Sequence, residues 1–280
     1  MFDLREAAKE RLLIAAHRGC WMGNIPCNSM GAFNAALLSG ADIVELDVSR
    51  SLDGTLFVFH PGTEPVFLKS EKLISQMTDA EVRRHKLVSS DGAFTECDVP
   101  TFDDVLEGLK GRCFINVDKF PFYPEEILSA IRKHKMQAQV LVKTDQDEKY
   151  YRMMEEIAPE IPYMTFAKEI DRDSEMLLKR KLNYLGTEAL FKDEMSEFAH
   201  PAYHEKMHKM GLLTWANAIV FNYKTVHAAG HNDDVSATGN PDNGWGYLAE
   251  LGYNMIQTDW VEQCVRYLDL KKYRKDTRND

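Results

Sequence analysis

Eight short apolar runs, separated by helical patterns, constrain this chain more than any other feature. They are LLIAA at 12–16, IVELDV at 43–48, CFINVD at 113–118, QVLVK at 139–143, IPYMTFA at 161–167, LNYLGTEAL at 182–190, LLTWANAIV at 212–220 and NMIQTDW at 254–260. Their length and β-branched content suit buried strands. Segments such as MGAFNAALLSG at 30–40 and PTFDDVLEGLKG at 100–111 read as helices ending in glycine. Strands alternating with helices imply right-handed βαβ units and a parallel sheet. Eight units in a chain of 280 residues fit a (β/α)8 TIM barrel in a single domain spanning 1–280. A doubly wound sheet is the competitor, but HRGCWMGN after the first run is not the GxGxxG turn it would favour.

An additional run, LFVFH at 56–60, follows the hairpin signal Asp53-Gly54. Residues 61–100 are poorly periodic and are expected to form a small insertion after the second strand. Residues 221–246 are expected to be a long polar loop over the active-site face, after the seventh strand.

The net charge of −10 argues against a nucleic-acid-binding surface, which would be basic. No run reaches the length of a membrane span, and the charged start MFDLREAAKERLL lacks a signal-peptide core, so no stable membrane insertion and a cytoplasmic location are expected. The five cysteines are scattered with no CxxC, which suggests neither a disulfide framework nor a thiolate zinc site.

Polar residues at strand ends of a barrel face its mouth. Alternation places Glu45 and Asp47 on one side of the second strand, and Asp118 ends the third. Oxygen-only ligation favours a divalent cation, Mg2+ or Ca2+, over zinc. His17 ends the first strand and His60 the hairpin strand, so both are candidates for acid–base work. Arg18 can hold a phosphate oxygen. Together these groups suit cleavage of a phosphate ester.

These residues carry a specific resemblance. His17-Arg18-Gly19, Pro26-Cys27-Asn28-Ser29, Ala32-Phe33 with Ala36, Gly40-Ala41-Asp42 with Glu45 and Asp47, Asp53-Gly54 and His60 follow one another as in the glycerophosphodiester phosphodiesterase family. Val99 to Leu106, Asn116-Val117-Asp118, Trp215 with Asn217, and Ile256 with Thr258-Asp259 extend the resemblance over roughly residues 12–262. It implies a (β/α)8 barrel, metal ligation by Glu45, Asp47 and Asp118, acid–base roles for His17 and His60, and a phosphate contact from Arg18. The implied substrate is a small phosphodiester, cleaved to glycerol 3-phosphate and an alcohol through a cyclic phosphate. A lysophospholipase-D-like activity on the same fold and a non-catalytic phosphate-ester binding protein are the alternatives.

Three departures from the family pattern stand out. Cys27 replaces a glutamate, Pro61 follows His60, and Phe120 stands where a lysine is usual. Lys119 is one position early and is expected to point away from the mouth, because one step along a strand changes the face. Lys143 is the expected replacement. Glu188 and Trp215 are further candidates for substrate contact, and Trp245 is a lesser one. His231, Asp233 and Asp234 are expected in a solvated loop. His204-Glu205-Lys206-Met207-His208 matches HExxH, but its helix ends at the barrel's bottom and is expected to be solvated and free of metal.

Overall fold

A computed structural model describes residues 2–221 and 224–274. Eight parallel strands close into a barrel: Leu13–Ala16, Ile43–Arg50, Phe114–Asp118, Val140–Asp145, Tyr163–Lys168, Tyr184–Leu190, Leu213–Asn217 and Met255–Thr258. The first strand pairs with both the second and the eighth, which completes the ring. Each of the eight apolar runs supplies one strand.

The barrel interior is layered. Leu13, Ala15, Ile43, Leu141, Met164, Leu185, Leu213, Trp215 and Met255 form its apolar filling, and Leu4 of the N-terminal helix Leu4–Glu10 packs against them. A larger core lies between the strands and the outer helices. Alternation along the strands then lifts Glu45, Asp47, Asn116, Asp118, Lys143, Asn217 and Gln257 above the apolar filling, toward the mouth.

The sixth strand breaks this alternation. Its pairing with the fifth skips a residue between Tyr184 and Gly186. This bulge keeps Tyr184 and Thr187 on the outer side, where their hydroxyls bond at 2.9 Å. Glu188 is thereby turned inward. Gly186 sits at φ +143°, and a Cβ there would meet the Leu213 carbonyl oxygen at 1.9 Å. Only glycine fits this position.

The insertion leaves the barrel after the antiparallel strand Leu56–Val58, which pairs with the second strand. It contains the hairpin Lys86–Val88 and Phe94–Asp98 and a small core of its own around Phe57, Phe59, Leu68 and Ile74. The Val58 backbone N–H donates to the Pro100 carbonyl at 2.8 Å, bringing the chain back beside its point of departure.

Two expectations of solvent exposure are corrected. The 221–246 segment is not one solvated loop: it holds the helix Asp233–Thr238 and two 3-10 turns, and Trp245 begins the next helix. Asp233 is buried, accepting from Trp245 Nε1 at 2.8 Å, Thr258 Oγ1 at 2.6 Å and the Asp259 backbone N–H at 2.8 Å. Trp245 therefore packs inside the fold, 2% exposed. His231 stacks on Tyr247 at 3.6 Å and pairs with Glu194.

The helix of the HExxH stretch, Pro201–Lys209, is not solvated along its whole face either. His204 is buried against Tyr253, between Thr214 Oγ1 and the Phe198 carbonyl. Burial pushes its pKa down to about 4. The unfolded chain therefore takes up this proton at higher pH than the folded one. Stability contributed by neutral His204 is complete above about pH 6.5 and is lost as the pH falls toward 4. The loss is expected to approach about 3 kcal/mol, and urea unfolding between pH 7 and 4 should show it. A His204→Gln protein with the same pH slope would refute this assignment.

Candidate active site

Seven residues from the first three strands and their loops crowd one side of the mouth: His17, Arg18, Glu45, Asp47, His60, Asp118 and Lys119. Glu45, Asp47 and Asp118 each offer a carboxylate oxygen, all within 4.8 Å of one another. Register explains it: Glu45 lies beside Asn116 and Asp47 beside Asp118 on adjacent parallel strands.

Arg18 is bound to this group twice. Its backbone N–H donates to Glu45 Oε2 at 2.8 Å, and its Nε lies 3.0 Å from Asp47 Oδ2. That geometry depends on a left-handed turn, Arg18 at φ 55° and Gly19 at φ 79°. A Cβ at Gly19 would come within 2.7 Å of the Ala32 backbone, which explains the glycine after His17-Arg18. Asn28 holds Asp47 from the other side, donating through Nδ2 to Oδ2 at 3.0 Å.

The two histidines flank the carboxylates. His17 Nδ1 lies 2.9 Å from Asp259 Oδ1, which leaves Nε2 as the ring atom free to exchange a proton. Burial opposes the His17 imidazolium, but Asp259 and Glu45 outweigh it and raise its pKa. His60 Nε2 is 3.9 Å from Asp47 Oδ1. Burial, with Arg18 and Lys119 nearby, lowers its pKa.

Lys119 corrects the strand-face argument. The third strand ends at Asp118, and Lys119 turns into the left-handed region at φ 65°, so alternation no longer governs its side chain. Its Nζ sits 2.5 Å from Asp118 Oδ2 and 3.7 Å from Asp47 Oδ1. Lys143 also reaches the pocket, but its ammonium is paired with Glu188 and lies 3.8 Å over the Trp215 ring. Lys119, and not Lys143, is the lysine beside the acids. Trp215 is 0% exposed and forms the floor beneath Lys143, not a wall that substrate could touch.

The residues present fit a divalent cation. Burial, then Asp47, push the Glu45 carboxyl up to about 7, the mark of crowded acids lacking charge compensation. Burial also opposes the charged form of Asp118, but Lys119 holds it below the usual carboxylate range. Asn116 Oδ1, beside Glu45, is buried without a partner among the described residues. Three carboxylates carry −3, and Arg18 with Lys119 returns +2. A dication would leave +1, which matches the single negative charge of a phosphodiester. At the departure Cys27, burial pushes the thiol up to about 12, so this position adds no charge beside Arg18.

The cavity has a volume of about 130 Å³. Beyond the groups above, Phe166, Glu188, Asn217, Ile219, Phe221, His227 and Gln257 line its far side. Asn217 donates to Glu188 Oε1 at 3.0 Å. Sequence reasoning missed Asn116, Asn217 and Gln257 as site residues, though counting in steps of two from Asp118, Trp215 and Met255 would have found them. His227 and Phe221 had no such signal, because they lie on a loop.

Comparison with known proteins agrees with this fold. Glycerophosphodiester phosphodiesterases of Bacillus altitudinis and Caldanaerobacter subterraneus subsp. tengcongensis are 34% and 28% identical over 143 and 142 residues, 47% and 48% of this chain. The chain spans 57% and 58% of the length of these relatives. A family profile described as a domain of unknown function matches residues 161–268. In structure, a glycerophosphoryl diester phosphodiesterase from Parabacteroides distasonis superposes with a TM-score of 0.76 at 17% identity, covering 96% of this chain and 92% of that one. A phosphodiesterase from Oleispira antarctica, solved with the product sn-glycerol-3-phosphate, gives 0.68 at 18% identity, covering 94% and 99%. Over about half its length the chain is similar in sequence to glycerophosphodiester phosphodiesterases, and over most of its length it shares the (β/α)8 barrel of solved ones.

Proposed function

We propose that this protein is a metal-dependent phosphodiesterase that hydrolyses glycerophosphodiesters to glycerol 3-phosphate and an alcohol. The observation that carries the reading is one cavity holding His17, His60, Arg18 and Lys119 around the triad Glu45, Asp47 and Asp118. Glu45, Asp47 and Asp118 would hold Mg2+ or Ca2+, which supplies Lewis-acid stabilisation of charge on the phosphoryl oxygens. Arg18 binds a non-bridging oxygen and is held for that task by Glu45 and Asp47.

His17 and His60 divide the proton transfers. One removes the proton of the glycerol hydroxyl next to the phosphate as its oxygen attacks phosphorus. The other protonates the departing alcohol oxygen as its bond to phosphorus breaks. Water then opens the cyclic phosphate with the two roles exchanged. Asp259 fixes the His17 ring for both steps.

The test is release of alcohol from glycerophosphocholine and glycerophosphoethanolamine with Mg2+, with Ca2+ and with chelator, beside His17→Ala. Turnover by the untreated protein should fall at least a hundredfold in His17→Ala and should stop with chelator. Turnover indifferent to both treatments would sink the mechanism, and ligand binding without turnover would favour a non-catalytic binding protein. Phe221, exposed at the cavity lip, favours a second reading, cleavage of lysophospholipids by the same groups. A lysophosphatidylcholine arm in the same assay separates the two.

A further inference from the structure

A second cleft opens beside the catalytic cavity. It has a volume of about 560 Å³ and is lined by Asp145, Gln146, Phe166, Lys168, Ile170, Arg172 and Asp173. Phe166 lines both spaces, so the two meet across one ring. The strands explain why. Asp145 stands two residues above Lys143 on the fourth strand, and Lys168 two residues above Phe166 on the fifth, so the cleft continues the inner rows out to the lip. The catalytic cavity is about a quarter of that volume. A diester whose phosphorus lies near Arg18 still has an ester arm to place, and this cleft adjoins the cavity through Phe166.

The charges of the cleft are arranged unevenly. Lys168 Nζ pairs with Asp145 Oδ1 at 2.9 Å. Arg172 is exposed and has no hydrogen-bond or ion-pair partner among the described residues. Yet the residues on either side of it are fixed. Asp171 accepts from Ser174 Oγ at 2.6 Å, Tyr203 OH at 2.9 Å and Gln146 Nε2 at 2.8 Å, and its own backbone N–H donates to Glu197 Oε1 at 2.6 Å. Asp173 accepts from Tyr151 OH at 2.5 Å. Two tethered aspartates thus fix the backbone that carries an unpaired guanidinium at the lip, so binding an anion orders the Arg172 side chain alone. With Asp145 neutralised by Lys168, Asp173 is the cleft carboxylate without a cationic partner among the described residues, and it favours an occupant that also carries a cation.

We propose that this cleft binds the leaving alcohol, and that it selects an alcohol carrying a carboxylate beside an ammonium, with the carboxylate on Arg172. The proposal rests on the phosphodiesterase reading above and narrows its substrate class. Glycerophosphoserine and glycerophosphoethanolamine differ only by that carboxylate, so they isolate the contact. A charge-assisted bond of this kind is worth about tenfold.

The experiment measures kcat/KM for both diesters in the wild type, in Arg172→Ala and in Arg172→Lys. The serine diester should be preferred about tenfold by the wild type. Arg172→Ala should reduce the preference to below twofold through loss on the serine diester alone, and Arg172→Lys should retain part of it. Equal use of the two diesters by the wild type, or a preference that survives Arg172→Ala, overturns the subsite while leaving the phosphodiesterase reading intact. Absence of turnover for both diesters in the wild type overturns both.

Discussion

Glu45→Gln is expected to lower kcat/KM for glycerophosphodiester hydrolysis by about three orders of magnitude, with no loss of fold. The size follows from what the side chain touches. Glu45 is one of three carboxylates that would hold the cation, and its Oε2 also accepts the Arg18 backbone N–H at 2.8 Å. Losing it weakens two sources of charge stabilisation at once, and each is ordinarily worth several kcal/mol of barrier. The fold should survive because the carboxylate is a burden on the unloaded protein. It is buried beside Asp47, and both burial and that neighbour push its pKa up to about 7. A neutral amide of the same shape relieves the repulsion, and Gln can still accept from Arg18. Urea unfolding without added metal should therefore find Glu45→Gln at least as stable as the wild type. Titration calorimetry with Mg2+ or Ca2+ should show affinity lowered at least tenfold. Undiminished hydrolysis in Glu45→Gln would remove this residue from the mechanism, and undiminished ion affinity would remove it from the ligand set.

Much of this site was legible in the sequence because strand alternation is a rigid rule. Glu45 and Asp47 two apart, with Asp118 at the end of the next strand, could be placed together before any coordinates. The rule failed where the chain stops being a strand. Lys119 lies one residue past the strand end, and a left-handed backbone sends its ammonium back to Asp118. Glu188, a candidate for substrate contact from its place near a strand end, owes its inward direction to the bulge at Leu185 and Gly186, which changes the phase of the sixth strand and which alternation alone does not foresee. Asp233 looked like loop polarity because its three donors come from Trp245, Thr258 and Asp259, which are far from it in sequence. Long-range hydrogen bonds of this kind leave no periodic trace.

Lys143→Ala should destabilise the protein by about 3–5 kcal/mol, the second large effect expected here. Lys143 is 3% exposed, and its ammonium pairs with Glu188 and lies over the faces of Trp215 and Phe166, with 3.8 Å and 5.2 Å to the ring centroids. Without it, Glu188 keeps, among the described residues, only the Asn217 amide as a side-chain partner, at 3.0 Å, in a nearly closed space. An uncompensated buried charge costs more than the pair contributes, so the second partner decides the outcome. Lys143→Met with Glu188→Gln should recover most of the loss, because neither replacement needs a counter-charge and both fill similar volume. Activity provides the contrast with Lys119. Lys119→Ala, at a partly exposed position, should lower kcat/KM at least tenfold while leaving the urea midpoint near that of the wild type. A Lys143→Ala protein as stable as the wild type would show that the pair is not buried as described. A double variant no more stable than Lys143→Ala would show that Lys143 contributes by packing on Trp215, and not by neutralising Glu188.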